Sequence, residues 1–266
     1  MKPKKSFGQN FLTSTAARAA IVTAGYIQKG DHVLEIGPGR GFLTEGLLAT
    51  DAQVTAIEMD RDLIELLKNK FKENNFTLIN ADILKYDIST LSTPYKLIAN
   101  IPYYITGAII KRFLSATHKP SLMVVLVQRE VAERIVARDH KESILSIAVK
   151  VYGVPHIVTR VSAGSFYPKP KVDSAVLSIV NINNDFFNSF KDSSRAEQLF
   201  FELLKGGFQY KRKYLVSNLM KVNSTLEIRE IIISALKDIG LDEQARAENV
   251  TIEGWKHLFL AIYTLL

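Results

Sequence analysis

The strand-like run Val33-Leu34-Glu35-Ile36 breaks into Gly37-Pro38-Gly39-Arg40-Gly41 and resumes as a helical period through about Ala49. A strand, a glycine turn and a helix in that order open a parallel βαβ arrangement, and the same alternation continues down the chain. Gln53 to Ile57 reads as a second strand, followed by a helix over 61–71 with Leu63, Ile64, Leu67 and Phe71 on one face. Phe76 to Ile79, Lys96 to Ala99 and Leu122 to Val127 read as further strands, the last two each followed by a helix. Strands alternating with helices predict an α/β fold with a doubly wound, mainly parallel sheet. A ligand of such a sheet is expected beyond the carboxyl ends of its strands.

After Val151 the pattern changes. His156 to Val161 and Ser174 to Val180 are strand-like, with a proline-rich connection and no helix between them, which predicts an antiparallel hairpin at the sheet edge. Asn181 to Asp185 is polar and turn-prone. Beyond it only helical periods remain, at about 195–206, 212–221, 225–238 and 252–265. The expected organisation is therefore a sheet domain over 1–184 and a small all-helical domain over 185–266.

Composition narrows the partners. The chain has 266 residues, is 47% hydrophobic and carries a formal charge of +7, a balance that favours a polyanionic partner over a membrane. Residues 185–266 hold 11 Lys+Arg against 11 Asp+Glu, so residues 1–184, with 23 against 16, carry the whole excess. With no cysteine there is no disulfide, Cys-zinc site or thiol nucleophile. Five scattered histidines show no metal-ligand spacing, and no metal is expected. The basic start, Met1 to Ser6, leads into no apolar segment of signal-peptide type, and the longest apolar run, Leu122 to Val127, is far too short to span a bilayer. A soluble, cytoplasmic monomer without a membrane partner is the expectation.

Three groups of residues at the strand ends carry chemistry. In Glu35 to Gly41 the spacing is Gly-x-Gly-x-Gly, not the Gly-x-Gly-x-x-Gly of dinucleotide folds, and no Walker-type lysine follows. Taken alone this turn could hold a dinucleotide, a sulfonium cofactor or nothing. Glu58 ends the second strand, 21 residues beyond Gly37, where a carboxylate could accept from ribose hydroxyls. Asp82 follows the third strand, where it could accept from an adenine amino group, with Ile83 packing on the ring. Two acids at successive strand ends beside a glycine turn share one crevice.

The third group is Asn100-Ile101-Pro102-Tyr103, at the end of the fourth strand and before a helix from about Thr106. The N6 nitrogen of adenine is a poor nucleophile because its lone pair is delocalised into the ring. A side-chain amide oxygen and a backbone carbonyl that each accept one N6–H bond draw that nitrogen toward a tetrahedral, nucleophilic geometry. Pro102 would stiffen the turn that aims the carbonyl, and Tyr103 offers a face for a base to stack on. The same four residues also suit a proline turn before a helix, so the other motifs must decide.

Together these motifs resemble those of the rRNA adenine N6-dimethyltransferase family, which shares the class I S-adenosylmethionine methyltransferase (Rossmann-like) fold. The resemblance covers most of the chain. Phe7-Gly8-Gln9-Asn10-Phe11-Leu12 is similar to the family segment that folds over the cofactor, Glu35 to Thr44 to its cofactor loop, and Glu58-Met-Asp60 and Asp82 to its acids. Phe166-Tyr-Pro168-Lys-Pro170-Lys-Val172-Asp173-Ser174-Ala175 resembles the family's Phe-x-Pro-x-Pro-x-Val-Asp-Ser loop. Phe208 to Lys213 and Arg246 to Val250 resemble the bacterial small-subunit (KsgA-type) branch, although Lys211 stands where arginine is expected.

The resemblance implies S-adenosylmethionine as cofactor, held by Gln9, Asn10, Leu12, Gly37, Gly39, Glu58, Asp82, Ile83 and the Asn100 backbone. It implies a catalytic group of Asn100, Pro102, Tyr103 and Phe166, the two rings clamping the target adenine between them. The implied reaction is dimethylation of two adjacent adenosines near the 3′ end of small-subunit rRNA, with the immature small ribosomal subunit as partner. A large-subunit methylase of the drug-resistance type and a non-catalytic RNA- or DNA-binding factor on the same fold are the alternatives.

Overall fold

The computed structural model describes residue 3, residues 8–221 and residues 226–265. Phe7 of the N-terminal motif lies outside the described residues. The chain divides into two compact units, residues 1–132 with 153–183 and residues 133–152 with 184–266.

In chain order the elements through the sheet are β1 (Phe11–Leu12), α1 (Thr15–Ala24), β2 (His32–Ile36), α2 (Phe42–Leu48), β3 (Gln53–Glu58), α3 (Arg61–Lys70), β4 (Phe76–Asn80), β5 (Tyr95–Asn100), α4 (Thr106–Leu114), β6 (Leu122–Gln128), α5 (Arg129–Val136), α6 (Ile144–Lys150), β7 (Val154–Val161), β8 (Phe166–Tyr167) and β9 (Ser174–Val180). The main sheet runs β4-β3-β2-β5-β6-β9-β7. Its first five strands are parallel, and β9 joins antiparallel to both β6 and β7, so the expected edge hairpin is present. Chain direction across the sheet reverses between β2 and β5. A doubly wound sheet opens its crevice at that point, beyond the carboxyl ends of the two strands. The glycine turn leaves β2 there and Asn100 ends β5 there.

Residues at the sheet centre are apolar on both faces, as strands covered on both sides require. Leu97, Ile98, Val124, Val125 and Leu126 are fully buried. α1 precedes the strand–helix alternation that begins at residue 33. It starts where the Ser14 side chain accepts from the Ala17 N–H (3.2 Å) and buries Ala17, Ile21 and Ala24. The small pairing of β1 with β8 joins residues about 155 apart in the chain, Phe11 opposite Tyr167 and Leu12 opposite Phe166.

The second unit is helical: α6, then α7 (Asp185–Asn188), α8 (Ser193–Gly207), α9 (Leu215–Leu219), α10 (Leu226–Asp238) and α11 (Ile252–Ile262). The second segment of this unit begins at Asn184, next to the expected boundary at 184/185, and residues 133–152 belong to the unit as well. Aromatic packing explains their place, since the Tyr152 ring lies 5.7 Å from Phe187 and 6.1 Å from Phe201. The expected helix over 212–221 is only the short α9. Asn218 donates to the carbonyls of Gly207 (2.7 Å) and Tyr210 (3.1 Å), which folds the stretch before α9 into turns. Among the described residues no helix is long and apolar enough to cross a membrane.

Candidate active site

A cleft of about 490 Å³ opens at the switch between β2 and β5. Gly37 continues β2 into the cleft at φ +63°, and a side chain added there would meet no atom within 4 Å, so its backbone is bare toward the cavity. Gly41 (φ +77°) serves packing instead, because a Cβ there would collide with the Phe71 ring. Glycine adopts these angles without the steric cost that other residues carry.

Three carboxyl groups, all nearly or fully buried, surround this turn: Glu35, Glu58 and Asp60. The Glu58 carboxylate accepts from the backbone N–H groups of Met59 and Asp60 at 2.9 Å each through Oε1, and from Gly39 at 3.3 Å through Oε2. Burial raises its pKa, against the pull of those three bonds. Oε2 keeps capacity for a ligand hydroxyl, whereas Oε1 already holds two donors. Glu35 accepts from the Thr44 hydroxyl at 2.7 Å. Its full burial, with the Glu58 charge nearby, pushes its pKa up to about 8. Asp60 caps α3 by accepting from Asp62 N–H (3.1 Å) and accepts from Gln9 Nε2 (2.9 Å). Asp82 accepts from the Leu84 N–H through one oxygen (2.9 Å), and Ile83 is buried beside it against the cavity.

The N-terminal segment forms a strap along this cleft. Gln9 is tied to Asp60, Asn10 O accepts from Asn100 Nδ2 (3.1 Å), and β1 is paired to β8. Phe11 extends into an apolar cluster with Leu63, Leu67 and Phe71. The Arg40 guanidinium sits 4.7 Å over the Phe11 ring and 6.0 Å from that of Tyr167.

Asn100, Pro102 and Tyr103 all line the cleft, as do Gln9, Asn10, Leu12, Gly37, Gly39, Glu58, Asp82 and Ile83. A backbone carbonyl can only accept, so the bond to Asn10 fixes which end of the Asn100 amide is nitrogen and leaves Oδ1 on the other side. Pro102 enters a 3₁₀ turn over Tyr103–Ile105, and its carbonyl accepts from Ile105 N–H at 3.2 Å. The Tyr103 and Ser174 hydroxyl oxygens lie 2.7 Å apart. Burial raises the Tyr103 pKa, which keeps the phenol neutral.

Phe166 is placed apart from the other expected site residues. It is buried in the core cluster with Leu12, Ala17 and Ile21 and does not line the cleft. Successive residues of a strand point to opposite faces, so β8 sends Phe166 inward and Tyr167, which is exposed, to the cavity. Glu35, Met59, Tyr104 and Tyr167 also line the cleft without having been expected there as site residues. For Tyr104 the available signal was a second aromatic directly after the motif tyrosine.

This geometry has close counterparts among known proteins. The sequence model for "Ribosomal RNA adenine dimethylase" matches residues 1–263. A ribosomal RNA small subunit methyltransferase A of Dehalococcoides mccartyi is 41% identical over 264 residues, 98% of this chain and 88% of the relative. One from Clostridium botulinum is 37% identical over 271 residues, 100% of this chain and 96% of the relative. Among solved structures, a dimethyladenosine transferase from Plasmodium falciparum superposes with a TM-score of 0.79 at 26% identity, covering 96% of this chain and 98% of that one. The 23S rRNA methyltransferase ErmE gives 0.76 at 27%, covering 96% and 100%. Fold and cleft define a class I methyltransferase. The chain belongs to the ribosomal RNA adenine dimethylase family.

Proposed function

We propose that this protein transfers methyl groups from S-adenosylmethionine to N6 of two adjacent adenosines near the 3′ end of small-subunit rRNA, two to each. The observation that carries the reading is the orientation of Asn100, whose Nδ2 is occupied by the Asn10 carbonyl so that Oδ1 is the atom presented for an N6–H bond. Family membership and small-subunit relatives matching nearly the whole chain support the same substrate.

The cleft suits the cofactor. It offers bare backbone at Gly37, a carboxylate oxygen at Glu58, a second carboxylate at Asp82 and an apolar wall at Ile83. When bound, S-adenosylmethionine supplies an electrophilic methyl group. The chain's own contribution is positioning. Glu58 would accept from a ribose hydroxyl and Asp82 from the adenine amino group, and Gln9, Asn10 and Leu12 would hold the strap over them. Asn100 Oδ1 and a backbone carbonyl accept the two N6–H bonds of the target. The Pro102 carbonyl is already bonded to Ile105 N–H, which makes Ile101 the better source of that second acceptor. Tyr103 stacks on the base. No strong base is required, because N6 becomes cationic as it is alkylated and its proton then leaves to water.

The immature small ribosomal subunit is the partner in this reading, and the protein acts as a cytoplasmic monomer. Incubating unmethylated small subunits with labelled cofactor and mapping the modified bases tests it. Label on two adjacent adenosines near the 3′ end is expected. Label on large-subunit RNA would replace the substrate, and absence of transfer would leave a binding factor on a methyltransferase fold.

A further inference from the structure

Tyr103 belongs to the turn after β5, and its ring is only half-buried. A tyrosine in such a turn has χ1 and χ2 freedom that packing alone does not remove, yet a stacking platform works only when its face is already set. Here the tip of the ring is held. Tyr103 Oη lies 2.7 Å from Ser174 Oγ, and Ser174 is fully buried.

The anchor is itself rigid. Ser174 begins β9, which lies between β6 and β7, and it is in register with Gln128 on one side and Val161 on the other. The residue before it is fastened as well: Asp173 accepts from Ala163 N–H through its side chain (3.0 Å) and from Arg129 N–H through its carbonyl (3.0 Å). A buried hydroxyl needs a partner, and for Ser174 that partner is the phenol of the site.

We infer that Ser174 is a positioning residue for the target base, fixing the plane of the Tyr103 ring through the hydroxyl–hydroxyl bond. This assigns a task in the reaction to the end of the Pro-x-Pro-x-Val-Asp-Ser segment. It rests on the function proposed above. Ser174 touches neither base nor cofactor in this scheme and acts only through Tyr103.

The test is a double-mutant cycle on single-turnover methylation of small subunits at saturating cofactor, with cofactor affinity measured separately by calorimetry. Ser174→Ala is expected to lower the rate by about tenfold or more, the scale on which a misplaced reactant is felt, with cofactor affinity unchanged. Tyr103→Phe keeps the ring, removes the same bond and should give the same loss. The double variant should be no slower than either single one. Additive losses, or a wild-type rate in Tyr103→Phe, would overturn the inference. Should Ser174→Ala fail to fold, Tyr103→Phe alone decides, since it leaves the core serine untouched. A wild-type protein that transfers no methyl to rRNA would bring down the functional reading and this inference together, whereas additive losses in an active enzyme would remove only the inference.

Discussion

Asn100 donates from Nδ2 to the carbonyl of Asn10 at 3.1 Å, so a hydrogen bond joins the end of β5 to the strap along the cleft. The amide therefore has two tasks, one for each end. Nδ2 holds the strap, and Oδ1 is left for the proposed bond to N6–H.

These tasks separate by mutation. The Oδ1 bond strengthens as N6 gains positive charge, so it contributes most in the transition state. Asn100→Ala should lower single-turnover methylation by about 10²-fold or more, with a smaller loss of cofactor affinity through the strap. Asn100→Asp keeps an acceptor toward N6 but sets a carboxylate oxygen against the Asn10 carbonyl, and should weaken cofactor binding more than the alanine does. Rates at saturating cofactor, compared with calorimetric titration, separate the two effects. A wild-type rate in Asn100→Ala would refute the mechanism.

Glu58 has a comparable double load, because it accepts three backbone N–H groups as well as the proposed ribose contact. Glu58→Ala should cost about 1.5–3 kcal/mol of S-adenosylmethionine affinity, the scale of a charge-assisted hydrogen bond. Unchanged affinity in the titration would remove Glu58 from the cofactor site.

The place of the cleft at the strand ends was legible in the sequence because a turn that presents backbone favours glycine and polar residues at strand ends interrupt apolar runs, so Gly37, Glu58, Asp82 and Asn100 stood out, and all four line the cleft. Strand–helix alternation likewise marked the parallel part of the sheet, and two strands without a helix between them marked its antiparallel edge. What stayed hidden was non-local. The β1–β8 pair has only two residues on each strand, too short for period-two alternation to reveal which face Phe166 occupies. The Gln9–Asp60 and Tyr103–Ser174 bonds join residues 51 and 71 apart and leave no local pattern. Residues 133–152 carry an ordinary helical period, and contacts distant in sequence, such as the packing of Tyr152 on Phe187 and Phe201 and the bond from Glu142 N–H to the Glu248 carbonyl, show which unit they join.

Glu35 predicts a pH dependence of stability. Its pKa rises from the ordinary 4.5 to about 8 on folding, chiefly through burial. Between those values the folded protein holds a proton that the unfolded chain has released. Unfolding then liberates a proton, and the Glu35 contribution to stability falls as pH rises through that window. Below it both states are protonated and the contribution is flat. Glu35→Gln, which resembles the neutral acid, should flatten that part of the profile. Thermal unfolding of both proteins from about pH 5 to 8.5 reads the difference. Parallel profiles would show that Glu35 ionises normally.

The charge excess in residues 1–184 predicts salt-sensitive binding. Neutralising phosphates releases counterions, so the logarithm of the affinity for rRNA should fall linearly with the logarithm of salt concentration. Filter binding from low to moderate salt measures the slope, and a flat response would count against a nucleic-acid partner.

The resemblance implies one task for Phe166 and Tyr103, and the structure places them differently. Phe166 fills the core beside Leu12, Ala17 and Ile21, so Phe166→Ala should cost about 3–5 kcal/mol of stability through lost burial and the cavity left behind. Its effect on methylation should follow from the fraction unfolded and the loosened β1–β8 pair. Tyr103 stands half-buried at the cleft, so Tyr103→Ala should leave the protein largely stable while removing base stacking of about 1–3 kcal/mol. Urea unfolding and single-turnover methylation of the same two variants distinguish the roles. The placement of Phe166 in the core predicts a large shift in unfolding midpoint for Phe166→Ala, and for Tyr103→Ala a large loss of rate. If Phe166→Ala were fully stable yet as slow as Tyr103→Ala, the phenylalanine would have to leave the core to clamp the base, and the assignment made here from β8 would be wrong.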